Sequence, residues 1–418
     1  MGKADGPPQN IENARLVLRK LREKGHEAWL NGGCVRDHLL GREPADFDVA
    51  TSATPDQVEE IFPRSIAVGK AFGVIRVGCR GDWFEVATFR RDGRYLDGRR
   101  PESVTFSSAA EDAARRDFTI NGMFWDPDSG EIRDYVGGRA DLERRIVRAI
   151  GDADARLSED ALRILRAVRF AAQEGFSLDP ATQAAVVRHR DRLSHVAAER
   201  IREELLKLSS GSPATRRRGV LLLSSCTLLE LLFPEVSRAR ASEAAEIAGR
   251  CPTASLPLFL ASILSQALPQ EARPHAWSAL ARGVAARLRL SNGEAAELDA
   301  LSSCRVRMRG APRAGPARRR LLATIPFFGL VRELMTAEGG NDEALRLVDE
   351  LRARFGADRP APLLDGRELL ALGVPPRKAV GRWLRRLTIL ALSGKLSTKD
   401  DAVAWVRKRL TRPGSTEN

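Results

Sequence analysis

Cysteine is sparse in this chain of 418 residues, and its five copies, Cys34, Cys79, Cys226, Cys251 and Cys304, are widely scattered with no Cys-x-x-Cys spacing. An odd number of isolated thiols builds neither a disulfide framework nor a zinc site, and they read as ordinary thiols of a reducing compartment. Long apolar runs are missing as well. The most apolar stretch, Val220 to Phe233, is interrupted by Ser224, Ser225, Thr227 and Glu230 and is too short to span a bilayer. Met1 to Asn10 is polar and holds Pro and Gly, without the apolar core of a secretory signal. No membrane association and a cytoplasmic location are therefore expected. Neither a Gly-x-Gly-x-x-Gly nor a Walker-type Gly-x4-Gly-Lys occurs between a strand and a helix, which argues against dehydrogenase and kinase readings.

Acid is in deficit: 68 Lys and Arg stand against 55 Asp and Glu, for a net charge of +13. A pI near 10.2 favours a polyanionic partner, nucleic acid or an acidic surface. The length allows roughly two to four domains. Two textures divide it. Up to about Asp134 short β-like runs, Ile66 to Val68, Val74 to Val77 and Trp83 to Phe89, alternate with Gly and Asp turns. From about Asp141 apolar residues recur at helical spacing, as in Leu162, Leu165, Val168 and Phe170, then Ile201, Leu205 and Leu208. The expected class is α+β, a mixed head followed by helices alone. Arg305 to Arg320, with seven Arg and no acid, reads as a linker or loop, either solvated or touching phosphate.

The chemistry concentrates early. Glu27 to Leu30 predicts a strand, and Gly32-Gly33 a turn whose amides can approach a phosphate. Next comes Asp46-Phe47-Asp48, an Asp-x-Asp expected on a strand. Residues i and i+2 of a strand share a side, roughly 7 Å apart, which suits two carboxylates holding a pair of Mg²⁺ ions. Alone, an Asp-x-Asp is more often a turn or a solvated edge. Two adjacent arginines follow in Arg115-Arg116-Asp117-Phe118-Thr119-Ile120-Asn121, forks for phosphate or ribose oxygens with Asp117 and Asn121 to orient them.

Together, Gly32-Gly33-Cys34-Val35-Arg36-Asp37, Asp46-x-Asp48 and the Arg115-Arg116-Asp117 string resemble the polymerase-β-like nucleotidyltransferases, in their bacterial branch of tRNA CCA-adding enzymes and poly(A) polymerases. The resemblance implies metal ligation by Asp46 and Asp48, with Gly32, Gly33, Arg36 and Asp37 around the triphosphate. Glu85, on the strand Glu85 to Arg90, is a candidate third catalytic carboxylate. Arg115, Arg116, Asp117 and Asn121 resemble the ribose-binding motif, with Gly122 where Ala is more usual. Asp134 to Leu142 resembles the joint between head and neck, Gly137-Gly138 suiting a flexible connection.

Glu159-Asp160-x-x-Arg163, continuing to Arg166, resembles the family's base-selecting motif. Cytosine and adenine each present an exocyclic amino donor beside a ring-nitrogen acceptor. A carboxylate at Asp160 and a guanidinium at Arg163, one helical turn apart, complement that edge and reject uracil and guanine. Glu159 is expected to orient Arg163. Glu199 to Leu206 resembles the bracing motif of the neck. Leu364 to Pro376 and the basic helix Lys378 to Arg386 resemble the tail more loosely.

The resemblance implies a catalytic head over residues 1–140, a neck over 141–208, a body over 209–320 and a tRNA-binding tail over 321–418. No His-Asp dipeptide suggests an appended phosphohydrolase. The implied activity is addition of CCA to the tRNA 3′ end from CTP and ATP with two Mg²⁺ ions and no nucleic-acid template. No protein partner is inferred. Asp92 to Pro101 matches a segment that enzymes adding only CC tend to lack. Gly69-Lys70-Ala71-Phe72-Gly73 is nearer the CCA-adding pattern than that of poly(A) polymerases. An A-adding enzyme, a poly(A) polymerase and a catalytically dead RNA-binding protein are the alternatives.

Overall fold

The computed structural model describes residues 10–93, 102–269, 271–310, 312, 314–315, 319, 321–340, 342–356, 362–376 and 378–410. They fall into two compact units, Met1–Ala245 and Glu246–Asn418.

The first unit opens with α1 (Ile11–Glu23). Asn10 caps it, its side chain accepting from the Glu12 amide at 2.8 Å, and Ala14, Val17, Leu18 and Leu21 form its buried stripe. There follow β1 (Ala28–Asn31), α2 (Gly33–Leu39), β2 (Asp48–Thr51), α3 (Pro55–Ile61), β3 (Ser65–Gly69), β4 (Val74–Cys79), β5 (Asp82–Thr88), β6 (Arg90–Asp92), β7 (Val104–Phe106), α4 (Ala109–Ala114), β8 (Met123–Trp125) and β9 (Ile132–Asp134). Seven strands make one sheet in the order β3-β4-β5-β2-β1-β8-β9. Its pairs are antiparallel except β2 with β5.

The two-residue period of β4 and β5 assigns the faces. Ile75, Val77, Phe84 and Val86 are buried, while Arg76 and Glu85 alternate with them on the other side. Register extends this across the sheet: Val86 pairs with Val49, and Val49 with Leu30. Asn31, Asp48 and Glu85 therefore share the opposite face. Over that face α4 packs, its Ala109 and Ala113 closing on Trp29, Ala50, Phe89 and Phe124.

The expected helices follow as α5 (Gly138–Arg144), α6 (Ala153–Glu159), α7 (Leu162–Glu174), α8 (Pro180–His189), α9 (Ala198–Ser209) and α10 (Pro213–Ser225). They are not alone, since Ile146–Val147 and Ser177–Leu178 pair as a short parallel ribbon. Leu162, Leu165, Val168 and Phe170 are buried along α7, and Phe170 meets Phe118 edge to face. Gly137-Gly138 is no loose joint. Gly137 is left-handed at φ 78°, and a Cβ on Gly138 would lie 2.2 Å from the Thr119 carbonyl oxygen, so the pair lets α5 close against the head.

In the second unit the expected linker at Arg305 begins inside a helix, Asn292–Arg309. Arg305 is buried over the Trp277 ring, and both it and Arg309 pair with Glu338. Those two guanidiniums are engaged in packing that unit; residues 311, 313, 316–318 and 320 lie outside the described residues. Farther on, the expected basic helix is Lys378–Leu392, and Leu364, Leu369, Val374, Leu387, Leu396, Ala402 and Val406 form a small core beneath it.

Candidate active site

β1 ends at Asn31, and the chain turns at Gly32 with φ 75° and ψ −128°, a conformation essentially reserved for glycine. A Cβ there would sit 3.6 Å from Arg116 Nη1. Gly32→Ala is expected to cost about 1–3 kcal/mol through backbone strain, read as a lowered melting temperature.

Asp48 opens β2. Asp46 stands two residues earlier, before the strand begins and not within it as expected. Neither carboxylate is buried, whereas Phe47 between them is. Beneath them lies Cys34, whose buried thiol donates to the Asn31 carbonyl at 3.2 Å. Burial and the charge of Asp48, with a contribution from Asp46, push that thiol up to about 12, so it stays neutral. Glu85 is exposed, next to Asp48 on the parallel neighbour strand. Among the described residues no three His, Cys, Asp or Glu side chains are gathered to hold a metal ion. The donors at Asp46 and Asp48, both half-buried, are nonetheless hard carboxylate oxygens, which fit a hard divalent cation.

α4 delivers the arginine pair, and neither fork hangs free. Asp112, buried in α4, accepts from Arg115 Nε at 2.8 Å and from Arg116 Nη2 at 2.8 Å. Burial alone would raise this carboxyl, but Arg116 and Arg115 outweigh it and hold it low. Arg116 Nη1 then donates to Asn31 Oδ1 at 2.7 Å, while Asn31 Nδ2 donates to the Asp48 carbonyl at 3.3 Å. A continuous chain thus runs Asp112, Arg116, Asn31, Asp48. Arg36 closes the other side, donating to Asp37 at 3.0 Å and to Asn121 Oδ1 at 3.0 Å and pairing with Glu174 at 3.2 Å.

Asp117 is buried and accepts from Arg166 Nε at 2.8 Å and Nη2 at 2.5 Å. Burial would raise its carboxyl, but Arg166 and then Arg163 overcome that and bring it to about 2. Because the folded value is depressed, this pair stabilises the fold above the unfolded value near 4 and the gain is lost as pH falls toward 2. Asp117→Asn should therefore remove about 2–3 kcal/mol of stability at neutral pH. The difference from the parent should shrink below pH 4, as denaturant titrations at several pH values would show.

The base-selecting candidates sit at a break. Asp160 is not on the helix with Arg163 but in the junction between α6 and α7, where its Oδ1 accepts the Leu162 amide at 3.0 Å and its Oδ2 accepts Arg200 Nη2 at 2.7 Å. Arg163, in the first turn of α7, is buried. It donates to Glu159 Oε2 at 2.5 Å, to the Arg156 carbonyl at 2.9 Å and to the Arg115 carbonyl at 3.2 Å. The junction is thereby fastened to the end of the arginine motif.

Residues 28–148 match the poly A polymerase head domain and residues 175–240 the "Probable RNA and SrmB- binding site of polymerase A". The CCA-adding enzyme of Geobacillus thermodenitrificans is 48% identical over 206 residues, 49% of this chain and 50% of that protein. That of Anoxybacillus flavithermus is 48% identical over 230 residues, 55% and 57% of the two chains. The Bacillus stearothermophilus CCA-adding enzyme, solved in complex with CTP, superposes with a TM-score of 0.66 at 28% identity over 97% of this chain and 98% of that one. The chain is similar to CCA-adding enzymes over about half its length, and two of its segments match poly A polymerase domain families. In sequence alignment it spans about half the length of the curated relatives it matches.

Several residues that shape this site were not singled out by the sequence. Asp112 left a signal, standing three and four residues before the arginines on what became α4. Asn31, Arg156 and Glu174 left none, since each acts across the fold. Glu204, buried in α9 and pairing with Arg169 at 2.5 Å, looked like one more charge on an amphipathic helix.

Proposed function

We propose that this protein adds CCA to the 3′ end of tRNA from CTP and ATP by nucleotidyl transfer, releasing pyrophosphate and using no nucleic-acid template. The observation that carries the reading is the hydrogen-bonded chain from Asp112 through Arg116 and Asn31 to Asp48, which ties a nucleotide-binding motif to a carboxylate pair. Gly32 and Gly33 would offer backbone amides to the triphosphate, with Arg36 and Asp37 beside them. Arg115, Arg116, Asp117 and Asn121 would hold the phosphates and ribose.

Asp46 and Asp48 would hold two Mg²⁺ ions, with Glu85 on the neighbouring strand as a third catalytic carboxylate. Bound there, magnesium makes the attacking 3′-hydroxyl more acidic and offsets charge on the triphosphate and leaving pyrophosphate. Asp160 would accept from the exocyclic amine of cytosine or adenine while Arg163 donates to the ring nitrogen, and Glu159 and Arg200 keep the two side chains aimed. Arg166 would act through Asp117. The four-part plan, head 1–140, neck 141–208, body 209–320 and tail 321–418, accompanies this reading. So does a cytoplasmic location; among the described residues no helix is long and apolar enough to cross a membrane.

The Bacillus stearothermophilus CCA-adding enzyme, solved with CTP, supports the nucleotide; other solved CCA-adding enzymes carry ATP, and that of Thermotoga maritima carries tRNA. The chains with ATP and with tRNA are each 19% identical, at TM-scores of 0.61 and 0.60, and speak for the fold alone. The segment offered as a sign of A addition lies, from Arg94 to Pro101, outside the described residues. The test is sequencing of products from tRNA transcripts ending before CCA, after C or after CC, given Mg²⁺, CTP and ATP. Growth of all three to one CCA end is expected. Extension of the CC-ended substrate alone would mark an A-adding enzyme, long A tails a poly(A) polymerase, and no extension a binder.

A further inference from the structure

On the face shared by Asp48 and Glu85, the Trp83 indole of β5 is flanked by two guanidiniums, that of Arg76 on β4 and that of Arg64 in the bend just before β3. Trp83 stands two residues before Glu85 on β5, and Arg76 pairs directly with Glu85 across to β4. Arg76 Cζ lies 5.6 Å from the Trp83 ring centroid and Arg64 Cζ 5.0 Å from it. The cluster is built into the sheet. Gly78, the cross-strand partner of Trp83, donates its amide to the Arg64 carbonyl at 2.8 Å, and a Cβ on it would come 2.8 Å from Arg64 Cδ. The absent side chain is what lets Arg64 lie along the sheet against the indole. Among the described residues neither guanidinium has a carboxylate within 4 Å, although Glu85 is the cross-strand neighbour of Arg76. Two oriented cations that no carboxylate engages in an ion pair form a site for an anion, and guanidinium forks favour phosphate.

We propose that Arg64 and Arg76, held by Trp83, bind backbone phosphates of the RNA strand whose 3′ end is extended. The assignment rests on the nucleotidyl-transfer reading above and on strand order. Gly32, Gly33, Arg36 and Arg116 all lie on the β1 and β8 side of Asp48, so the triphosphate belongs there. Transfer of a nucleotidyl group requires attacking and leaving oxygens roughly in line on opposite sides of the phosphorus. The attacking strand must then come from the β5 and β4 side. Arg76 stands two strands from Asp48, about 10 Å across the sheet, where the last few nucleotides would pass.

The experiment uses the full chain, an RNA transcript lacking its terminal CCA, and the double variants Arg64→Gln/Arg76→Gln and Arg64→Lys/Arg76→Lys. RNA affinity is measured by filter retention without nucleotides at several salt concentrations, and KM for RNA and for CTP in the addition assay. The Gln pair should weaken RNA retention and raise the RNA KM by on the order of tenfold, and should lower the slope of log affinity against log salt by about one to two. The CTP KM should move less than twofold, and the Lys pair should recover most of the loss. Unchanged RNA affinity in the Gln pair overturns the proposal. A rise in the CTP KM instead assigns the cluster to the nucleotide, and failure of the Lys pair to recover shows a packing effect; each also overturns it. If the parent protein extends no RNA, the nucleotidyl-transfer reading fails, while filter retention still decides whether these arginines hold RNA.

Discussion

Asp46→Ala is expected to reduce incorporation of CTP and ATP into RNA by on the order of 10³-fold or more, with RNA retention on a filter kept. The expectation follows from what the two carboxylates stand among. The backbone of Asp48 is anchored by Asn31, which is anchored by Arg116, so removing a neighbouring carboxylate should leave the frame intact. If Asp46 and Asp48 hold the ions as proposed, losing one of them would forfeit several kcal/mol of charge stabilisation at the reacting phosphate, and a factor of ten in rate corresponds to about 1.4 kcal/mol. RNA binding, as proposed, would draw on basic side chains elsewhere and should persist. If the variant retained more than a tenth of the parent rate at saturating Mg²⁺, Asp46 would not be a metal ligand. Loss of RNA retention in the same preparation would point to misfolding, which circular dichroism would register.

Replacing Asp160 and Arg163 together with Ala should flatten the choice among the four nucleoside triphosphates. One bidentate contact to a base edge is worth about 1–3 kcal/mol of discrimination, so preference for CTP and ATP over UTP and GTP should fall roughly 10- to 100-fold. Arg163 also ties α7 to the carbonyls of Arg156 and Arg115, and its loss should lower melting temperature as well. Arg200→Ala separates the two roles. It frees Asp160 from its partner while leaving the Arg163 contacts in place, and discrimination should weaken with little change in stability. Unaltered preference in the double variant would remove this pair from base selection.

Local chemistry explains what the sequence made visible. A glycine forced to φ 75°, a carboxylate at i and i+2 and a pair of arginines after a short helix all write themselves into adjacent letters. The strands from Ile66 to Thr88 were readable because one face is apolar and the other is not. Contacts between distant segments were not readable. Nothing near Asn31 indicates that it bridges Arg116 and Asp48, and nothing near Arg200 indicates Asp160. Asp160 was mistaken for a helical residue because the apolar spacing of α7 continues smoothly back into α6, while the break is set by its own capping of the Leu162 amide. Arg305 was mistaken for linker because a run of arginines looks solvated, and its partner Glu338 is 33 residues away.

The single parallel pairing in the sheet, β2 with β5, separates what can drift from what cannot. The β3–β4 hairpin between those strands is an excursion whose turns could lengthen or shorten without moving β2 or β5. A slip of β5 by one position would be different in kind, bringing Phe84 or Val86 beside Asp48 and turning the Glu85 charge into the packed layer under α1 and α3. Over evolutionary time, insertions and deletions should therefore collect in the excursion, and strand β5 should change only by substitution.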